Sequence, residues 1–377
     1  MRPTSWKALT VLASLVAPFT QAQQCGMILD TAKSVTNRLQ SHYYSSASGQ
    51  YNGGSLWTDA NTIEDIHNLM LATGTNEWST LADNSYIGRS ALNANTNWNA
   101  ILNGSNDDAG WIILALWKVA DYKSSRGQDN SAYMRAAQSI YDIIKNQWDG
   151  TCGGGLWWSS AHTYKNAITN ELFLFVSAAG YIRTKKQEFL DNAKKTSSWL
   201  LNSGMRNADG LWNDGLDLNG CRNNGQTTWT YNQGVIASGL AALYSITGDK
   251  SLLDQAEITL DATIRRLSNN NILRESCDNT ASGQGSCNQD QQIFKGIWTK
   301  HLQFYLDNAN DPARTAKYAG FLHSQYSAVL HYGTNGDGDI GSVWYGPNQG
   351  GSVFSPKTSS SGLAAHVAAA KYGTCAP

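Results

Sequence analysis

Charge is scarce in this sequence. Asp, Glu, Lys and Arg supply 15% of its 377 residues and nearly cancel, for a formal net charge of −1. With no basic stripe to hold a nucleic acid or an anionic membrane, neither partner is expected. Cys-x-x-Cys pairs are absent and the histidines form no His-Glu-x-x-His pattern, so no metal and no cofactor is expected. The run Asn335-Gly-Asp-Gly-Asp339 starts like a calcium loop but lacks the closing Glu. Strand signals are few, and no Pro- or Ser-rich linker interrupts the chain, which argues for one domain.

Aromatic residues are plentiful instead, with 14 Trp and 17 Tyr in a chain rich in Gly, Asn and Ser. That composition suits a secreted protein that meets a neutral polar ligand. Sugars fit, because a pyranose face stacks on an aromatic ring and its hydroxyls need amide and carboxylate partners. For any single ring, a place in the core is the commoner fate.

The first residues read as a signal peptide over 1–22. Arg2 and Lys7 are the basic start, Ala8 to Phe19 is an apolar run too short to span a bilayer, and Thr20-Gln21-Ala22 is the cleavage site. The final residues carry no apolar tail of the kind that signals a lipid anchor. A secreted, unanchored monomer is expected. Six cysteines follow the signal peptide, an even number that argues for disulfides. Cys277 with Cys287 is a natural local closure, and Cys25 with Cys375 would tie the ends together.

Two kinds of helical pattern alternate. Tyr133, Ala137, Ile140, Tyr141, Ile144 and Trp148 line one face of 129–148, while Arg135, Asp142 and Lys145 take the other. That is an outer helix with one wet side. Residues 109–120 are apolar all round, the mark of a helix buried on every side. Similar inner segments open near Trp57, Asp107, Tyr164, Thr230, Asp290 and Ser359. Outer patterns fall near 27–43, 77–94, 129–148, 186–203, 249–268 and 311–330. Hairpins that each expose an apolar face cover one another when stacked, and closing the ring leaves no bare end. The predicted fold is all-α, an (α/α)6 barrel forming a single catalytic domain over 23–377. In such a ring the inner helices run parallel, so their N-termini share one face. Gly- and Trp-rich loops over 153–158, 210–215 and 341–346 should surround that face.

Asn106-Asp107-Asp108-Ala109-Gly110-Trp111 places two neighbouring acids at one of these helix mouths. Glycosidic bond hydrolysis needs two carboxyl groups flanking the bond, about 5–5.5 Å apart for retention and about 6.5–9.5 Å for inversion. Neighbouring residues are compatible with the shorter spacing. The helix dipole and free N–H groups would keep Asp107 ionised, and Asp108 beside that charge would hold its proton more tightly. Asp107 is then the candidate nucleophile and Asp108 the candidate acid/base. An ordinary capping pair is the alternative.

The motif resembles glycoside hydrolase family 76, the α-1,6-mannanases. The likeness extends through Gly153-Gly-Gly-Leu-Trp-Trp158, Tyr164-Lys-Asn-Ala-Ile-Thr-Asn-Glu-Leu172, Trp229-Thr-Tyr-Asn-Gln-Gly234 and Phe294-Lys-Gly-Ile-Trp298. The resemblance implies a retaining endo-acting enzyme on α-1,6-linked mannan, with Asp107 as nucleophile and Asp108 as acid/base. Asn106 departs from the family, where bacterial members often carry Tyr. The family's fungal branch also includes cell-wall transglycosidases.

Polar residues at the inner-helix mouths are candidate sugar contacts: Asp59, Asn61, Lys165, Asn166, Tyr231, Asn232 and Gln233. Trp57, Trp157 and Trp212 are candidate platforms. Asn166 and Asn232 could equally be helix caps, Lys165 could pair with Glu171, and His67 reads as a packed helix residue. Three other readings remain open: a cell-wall mannan transglycosylase with the same covalent intermediate, a mannan-binding protein without activity, and a related barrel enzyme using Asp214 or Asp217.

Overall fold

The apolar inner segments all form helices in the computed structural model, which describes residues 25–278, 287–345 and 352–375. The expected signal peptide lies outside the described residues. In chain order the helices are α1 (Gly26–Arg38), α2 (Leu56–Thr73), α3 (Leu81–Asn84), α4 (Tyr86–Leu92), α5 (Trp98–Leu102), α6 (Asn106–Ser125) and α7 (Ser131–Ile144). They continue as α8 (Ala167–Thr184), α9 (Gln187–Asn202), α10 (Thr230–Thr247), α11 (Ser251–Arg266), α12 (Phe294–Ala309), α13 (Pro312–Ala328) and α14 (Pro356–Tyr372).

Helices α2, α6, α8, α10, α12 and α14 form the inner ring. Each packs on the next, and α14 closes on α2. Helices α1, α7, α9, α11 and α13 lie outside them. This is the expected (α/α)6 barrel. Among the described residues, no helix is long and apolar enough to cross a membrane.

One outer element departs from expectation. The pattern over 77–94 predicts a single helix, yet the chain forms α3 and α4 with a break at Ser85. The Ser85 hydroxyl donates to the Ala82 carbonyl at 2.8 Å and accepts the Gly88 N–H at 3.0 Å. It thereby ends one helix and caps the next, an alternative to the continuous backbone ladder.

The two ends of the barrel differ in loop length. Several inner helices end in a single left-handed residue, Gly74, Lys185, Gly248 or Asn310, before the chain turns outward. The outer-to-inner connections are long. Three carry short antiparallel ribbons: β1 (Tyr44–Ser45) with β2 (Gln50–Tyr51), β3 (Leu216–Asp217) with β4 (Arg222–Asn223), and β5 (Ser268–Asn269) with β6 (Ile272–Leu273). These loops wall the face onto which the inner helices open.

Disulfides secure the arrangement. Cys25–Cys375 and Cys277–Cys287 form as expected, and Cys152–Cys221 joins the loop before α8 to the loop before α10. Ring closure is also polar. The buried Lys300 ammonium on α12 reaches Asn61, Glu64 and Asp65 of α2 at 2.8, 2.7 and 3.0 Å. Ser360 of α14 donates to Asp65 at 2.8 Å, so three helices meet at one cluster.

Close packing between inner helices is tightest at Gly296. A Cβ there would stand 2.3 Å from the Ser361 Cα, and the Gly296 N–H donates to the Ser361 hydroxyl oxygen at 2.8 Å. Gly296→Ala should therefore lose about 1–3 kcal/mol through forced separation of α12 and α14. Gly320→Ala, with nothing within 4 Å on the exposed face of α13, should gain up to about 1 kcal/mol. Urea denaturation of both variants checks the pair; equal effects would refute the packing argument.

Candidate active site

Helix α6 begins with Asn106, and its first turn carries both acids of the pair. Asn106 anchors that turn to the loop before α8: its N–H donates to the Trp158 carbonyl at 3.0 Å, and its side-chain amide to the Trp157 carbonyl at 2.8 Å. The same contact delivers the Trp158 side chain. Its indole N–H donates to one oxygen of Asp107 at 3.0 Å. The other oxygen accepts the Ser105 hydroxyl at 2.8 Å and the Asp108 N–H at 3.1 Å.

Burial raises the pKa of both carboxyls. For Asp107 it is opposed by its three donors. For Asp108 burial is reinforced by the Asp107 charge and by Asp290, and the group is pushed up to about 7. Nearly all the available donors serve Asp107, so the charge of the pair rests there and the proton on Asp108.

Aromatic rings flank the pair. Trp57 is half-buried, stacks on Trp111 with centroids 5.9 Å apart, and donates its indole N–H to Asp290 at 3.2 Å. Tyr231 lies flat on Phe294 at 3.9 Å. Trp158 is 44% exposed and meets Tyr164 edge-on. Tyr164 in turn donates its hydroxyl to Asp214 at 2.6 Å. Burial raises the Tyr231 phenol, and the charges of Asp214 and Asp107 add to it, which places both acids in its surroundings. Asp214 thus belongs to this neighbourhood, whereas Asp217 sits exposed in β3 opposite Arg222.

Several expected sugar contacts have other employment. A stacking platform must expose a face, and neither Trp157 nor Trp212 does. Trp157 donates to Asp149 at 2.9 Å and stacks on His162; Trp212 donates to Thr259 at 3.0 Å. Lys165 is fully buried and pairs with Asp149, not Glu171. It also caps the carbonyls of Thr151, Gly154 and Gly155 at 2.7 to 2.9 Å. Gln233 clamps the Trp212 N–H and carbonyl at 2.8 and 2.9 Å. Asn166 caps α8 through the Thr169 N–H, and Asn61 holds Lys300. Asp59 is buried beneath the Tyr51 N–H at 3.2 Å. Asn232 is buried and faces Asp214. His67 is packed as expected, bonded to the Ile63 carbonyl at 2.7 Å.

Ser105, Trp158, Tyr164 and Asp290 enter the neighbourhood without having been singled out as contacts. In an extended stretch successive side chains face opposite ways, so Trp157-Trp158 offers one ring inward and one outward. The pattern does not say which. Among the described residues, one group of side chains has metal-ligand proximity: Cys277, Asp278 and Cys287, whose sulfurs are joined to each other. Asp339, the last acid of the calcium-like run, is held bidentately by Arg38 at 2.8 Å.

A model of glycosyl hydrolase family 76 matches residues 27–371. The chain belongs to this family. Among curated relatives, the mannan endo-1,6-alpha-mannosidase DCW1 of Candida glabrata is 30% identical over 209 residues, covering 53% of this chain and 46% of that protein. The Saccharomyces cerevisiae DCW1 is 28% identical, covering 58% and 48%. The family 76 chain spans about half the length of the curated relatives it matches. Solved folds agree over more of it. An α-1,6-mannanase from a Salegentibacter species superposes with TM-score 0.76 at 20% identity, covering 91% of this chain and 99% of that one. Dfg5 from Chaetomium thermophilum, in complex with glucosamine, gives 0.73 at 18% identity, covering 91% and 90%.

Burial holds Asp59 up at about 7. A raised carboxyl stabilises the fold below its unfolded pKa, near 4, and that contribution is lost as pH rises through about 7. Asp59→Asn removes the titration while keeping an acceptor for Tyr51. The variant's urea midpoint should fall less steeply with pH across that window than the parent's; parallel curves would refute the assignment.

Proposed function

We propose that this family 76 chain is a secreted, retaining endo-α-1,6-mannanase, with Asp107 as nucleophile and Asp108 as acid/base. The observation that carries the reading is the division of labour in the pair. One carboxylate accepts three hydrogen bonds, and its neighbour is a carboxyl poised near 7. An acid tuned to that range can give a proton to a leaving oxygen and later take one from water.

In the first step Asp107 attacks the anomeric carbon while Asp108 protonates the departing glycosidic oxygen. A glycosyl-aspartate forms and the shortened chain leaves. In the second, Asp108 takes a proton from water, the water oxygen attacks the anomeric carbon, and Asp107 departs as a carboxylate. Ser105 and Trp158 donate to the oxygens that regain charge, which eases that departure. Trp57, Tyr231 and Trp158 offer ring surface to the polysaccharide on either side.

Relatives support the substrate. The yeast proteins named above are mannan endo-1,6-alpha-mannosidases, and an inactive Salegentibacter mannanase variant, with two consecutive aspartates changed to asparagine, binds α-1,6-mannotriose. The disulfides suit an oxidising compartment. The intact acid pair favours catalysis over sugar binding alone.

Hydrolysis of linear α-1,6-mannan by Asp107→Ala and Asp108→Ala should fall by roughly a thousandfold or more, with unchanged melting behaviour. Undiminished turnover in either variant would overturn the assignment. NMR should show an α-configured first product, and a β product would remove the nucleophile role. Oligosaccharides longer than the substrate would move the reading from hydrolysis to transglycosylation.

A further inference from the structure

Glu171 is a fully buried acid, and neither of its carboxyl oxygens has a hydrogen-bond partner. Folded chains seldom leave such a group unpaired, because its desolvation is not repaid. It stands in the first turns of α8. Phe175, one turn further on, packs against His301 and Phe304. This face of α8 therefore looks into the barrel, and Glu171 lies on the side toward the Asp107–Asp108 mouth.

The groups around it come from four elements. The loop before α10 brings Asp214, bonded to Tyr164. Helix α10 brings Tyr231 and Asn232; Tyr231 feels Asp214, Asp107 and Glu171 together. Helix α6 brings Asp107. Helix α12 brings His301, kept neutral by burial and bonded to Ser238 at 2.7 Å. Asp214 is the charge that acts on Glu171, and among the described residues no lysine or arginine offsets it.

Two carboxyls in this setting cannot both ionise. Hydrogen bonding decides which does. Asp214 accepts the Tyr164 hydroxyl at 2.6 Å, whereas Glu171 accepts nothing. The charge belongs to Asp214 and the proton to Glu171, and that O–H requires an acceptor. Burial followed by the Asp214 charge lifts the Glu171 carboxyl well above the usual range, in the same direction.

We propose that Glu171 is a positioning residue: an un-ionised acid whose side chain rotates to donate its O–H to Asp214, holding that carboxylate in the cleft wall beside Asp107. Strong alkali removes the proton to solvent, leaves two like charges, and releases Asp214 from the wall. The effect on sugar binding rests on the mannanase reading; the protonation state does not.

Two measurements on the whole chain test it. Infrared difference spectra between the parent and Glu171→Gln, taken on the alkaline side of the Asp59 and Asp108 titrations, should show a protonated carboxylic acid that the variant lacks. Its band should shift in Asp214→Asn. Only carboxylate bands in that difference, or a band indifferent to Asp214→Asn, would sink the proposal. Second, α-1,6-mannotriose affinity is measured against pH in an Asp108→Asn background. Glu171→Gln, which keeps an N–H donor, should retain affinity and lose the alkaline fall. Glu171→Leu should bind roughly tenfold more weakly at every pH. Gln and Leu variants that behave alike would also overturn it. If the Asp108→Asn parent itself binds no mannotriose, the mannan reading fails while the infrared result still decides the role of Glu171.

Discussion

A helix with no wet face has to be covered on every side, and six such helices leave little choice of architecture. They cover one another only as a closed ring, with amphipathic helices outside. The closure of α14 on α2 is therefore the contact on which the barrel depends. It is built from polar as well as apolar parts. Ser360 on Asp65 ties the last hairpin to the first, and Lys300 of α12 joins the same cluster through Glu64, Asp65 and Asn61. Cys25–Cys375 repeats the closure covalently at the chain ends. Buried ion pairs contribute little net stability against an apolar substitute, though losing one partner is costly. Their value here is directional: a hydrogen-bonded cluster fixes which helix meets which, where apolar surface alone would tolerate sliding.

Parallel inner helices have a second consequence, and it is electrostatic. All their N-termini face the same wall of loops, so partial positive charge and free N–H groups converge there. Carboxylates collect at that face: Asp107, Asp108, Asp214, Asp290 and, deeper, Asp59 and Glu171. Each is raised by burial or by its neighbours, or supplies the charge that raises another. What separates them is local hydrogen bonding. Asp107 has Ser105 and Trp158, Asp214 has Tyr164, and Asp108 and Glu171 have far less. A crowd of acids thereby acquires distinct protonation states.

The fold was largely legible from periodicity, because burial on all sides and burial on one side leave different residue patterns. The inner helices and most outer ones fall where those patterns place them. Ser85 marks the limit. Its hydroxyl breaks a helix through bonds to Ala82 and Gly88, and apolar spacing does not register such competition. The helix-mouth position of the acid pair was legible for the same reason as the helices. Its surroundings were not. Trp158 reaches Asp107 through the pairing of a loop strand with the residues that open α6, a contact between segments some fifty residues apart, and Ser105 sits at that pairing while bonding Asp107 locally. Residue type misled where polar or aromatic character served structure: Lys165, Gln233 and Trp212 have the chemistry of sugar contacts and spend it on backbone and neighbouring side chains.

Those structural residues nevertheless shape the surroundings of the acid pair. Lys165 draws the carbonyls of Thr151, Gly154 and Gly155 and the carboxylate of Asp149 around one ammonium. That cluster fixes the glycine turn on which Trp157 is anchored inward, through Asp149 again. With Trp157 inward, the next side chain of the extended segment faces out, and its indole meets Asp107. Cys152–Cys221 joins the same loop to the one that carries Asp214. A charge buried some distance from the acid pair therefore sets the direction of a hydrogen bond to it. The surroundings of the pair are held by the fold's interior, and a defect at Lys165 would reach Asp107 through the backbone of Trp158.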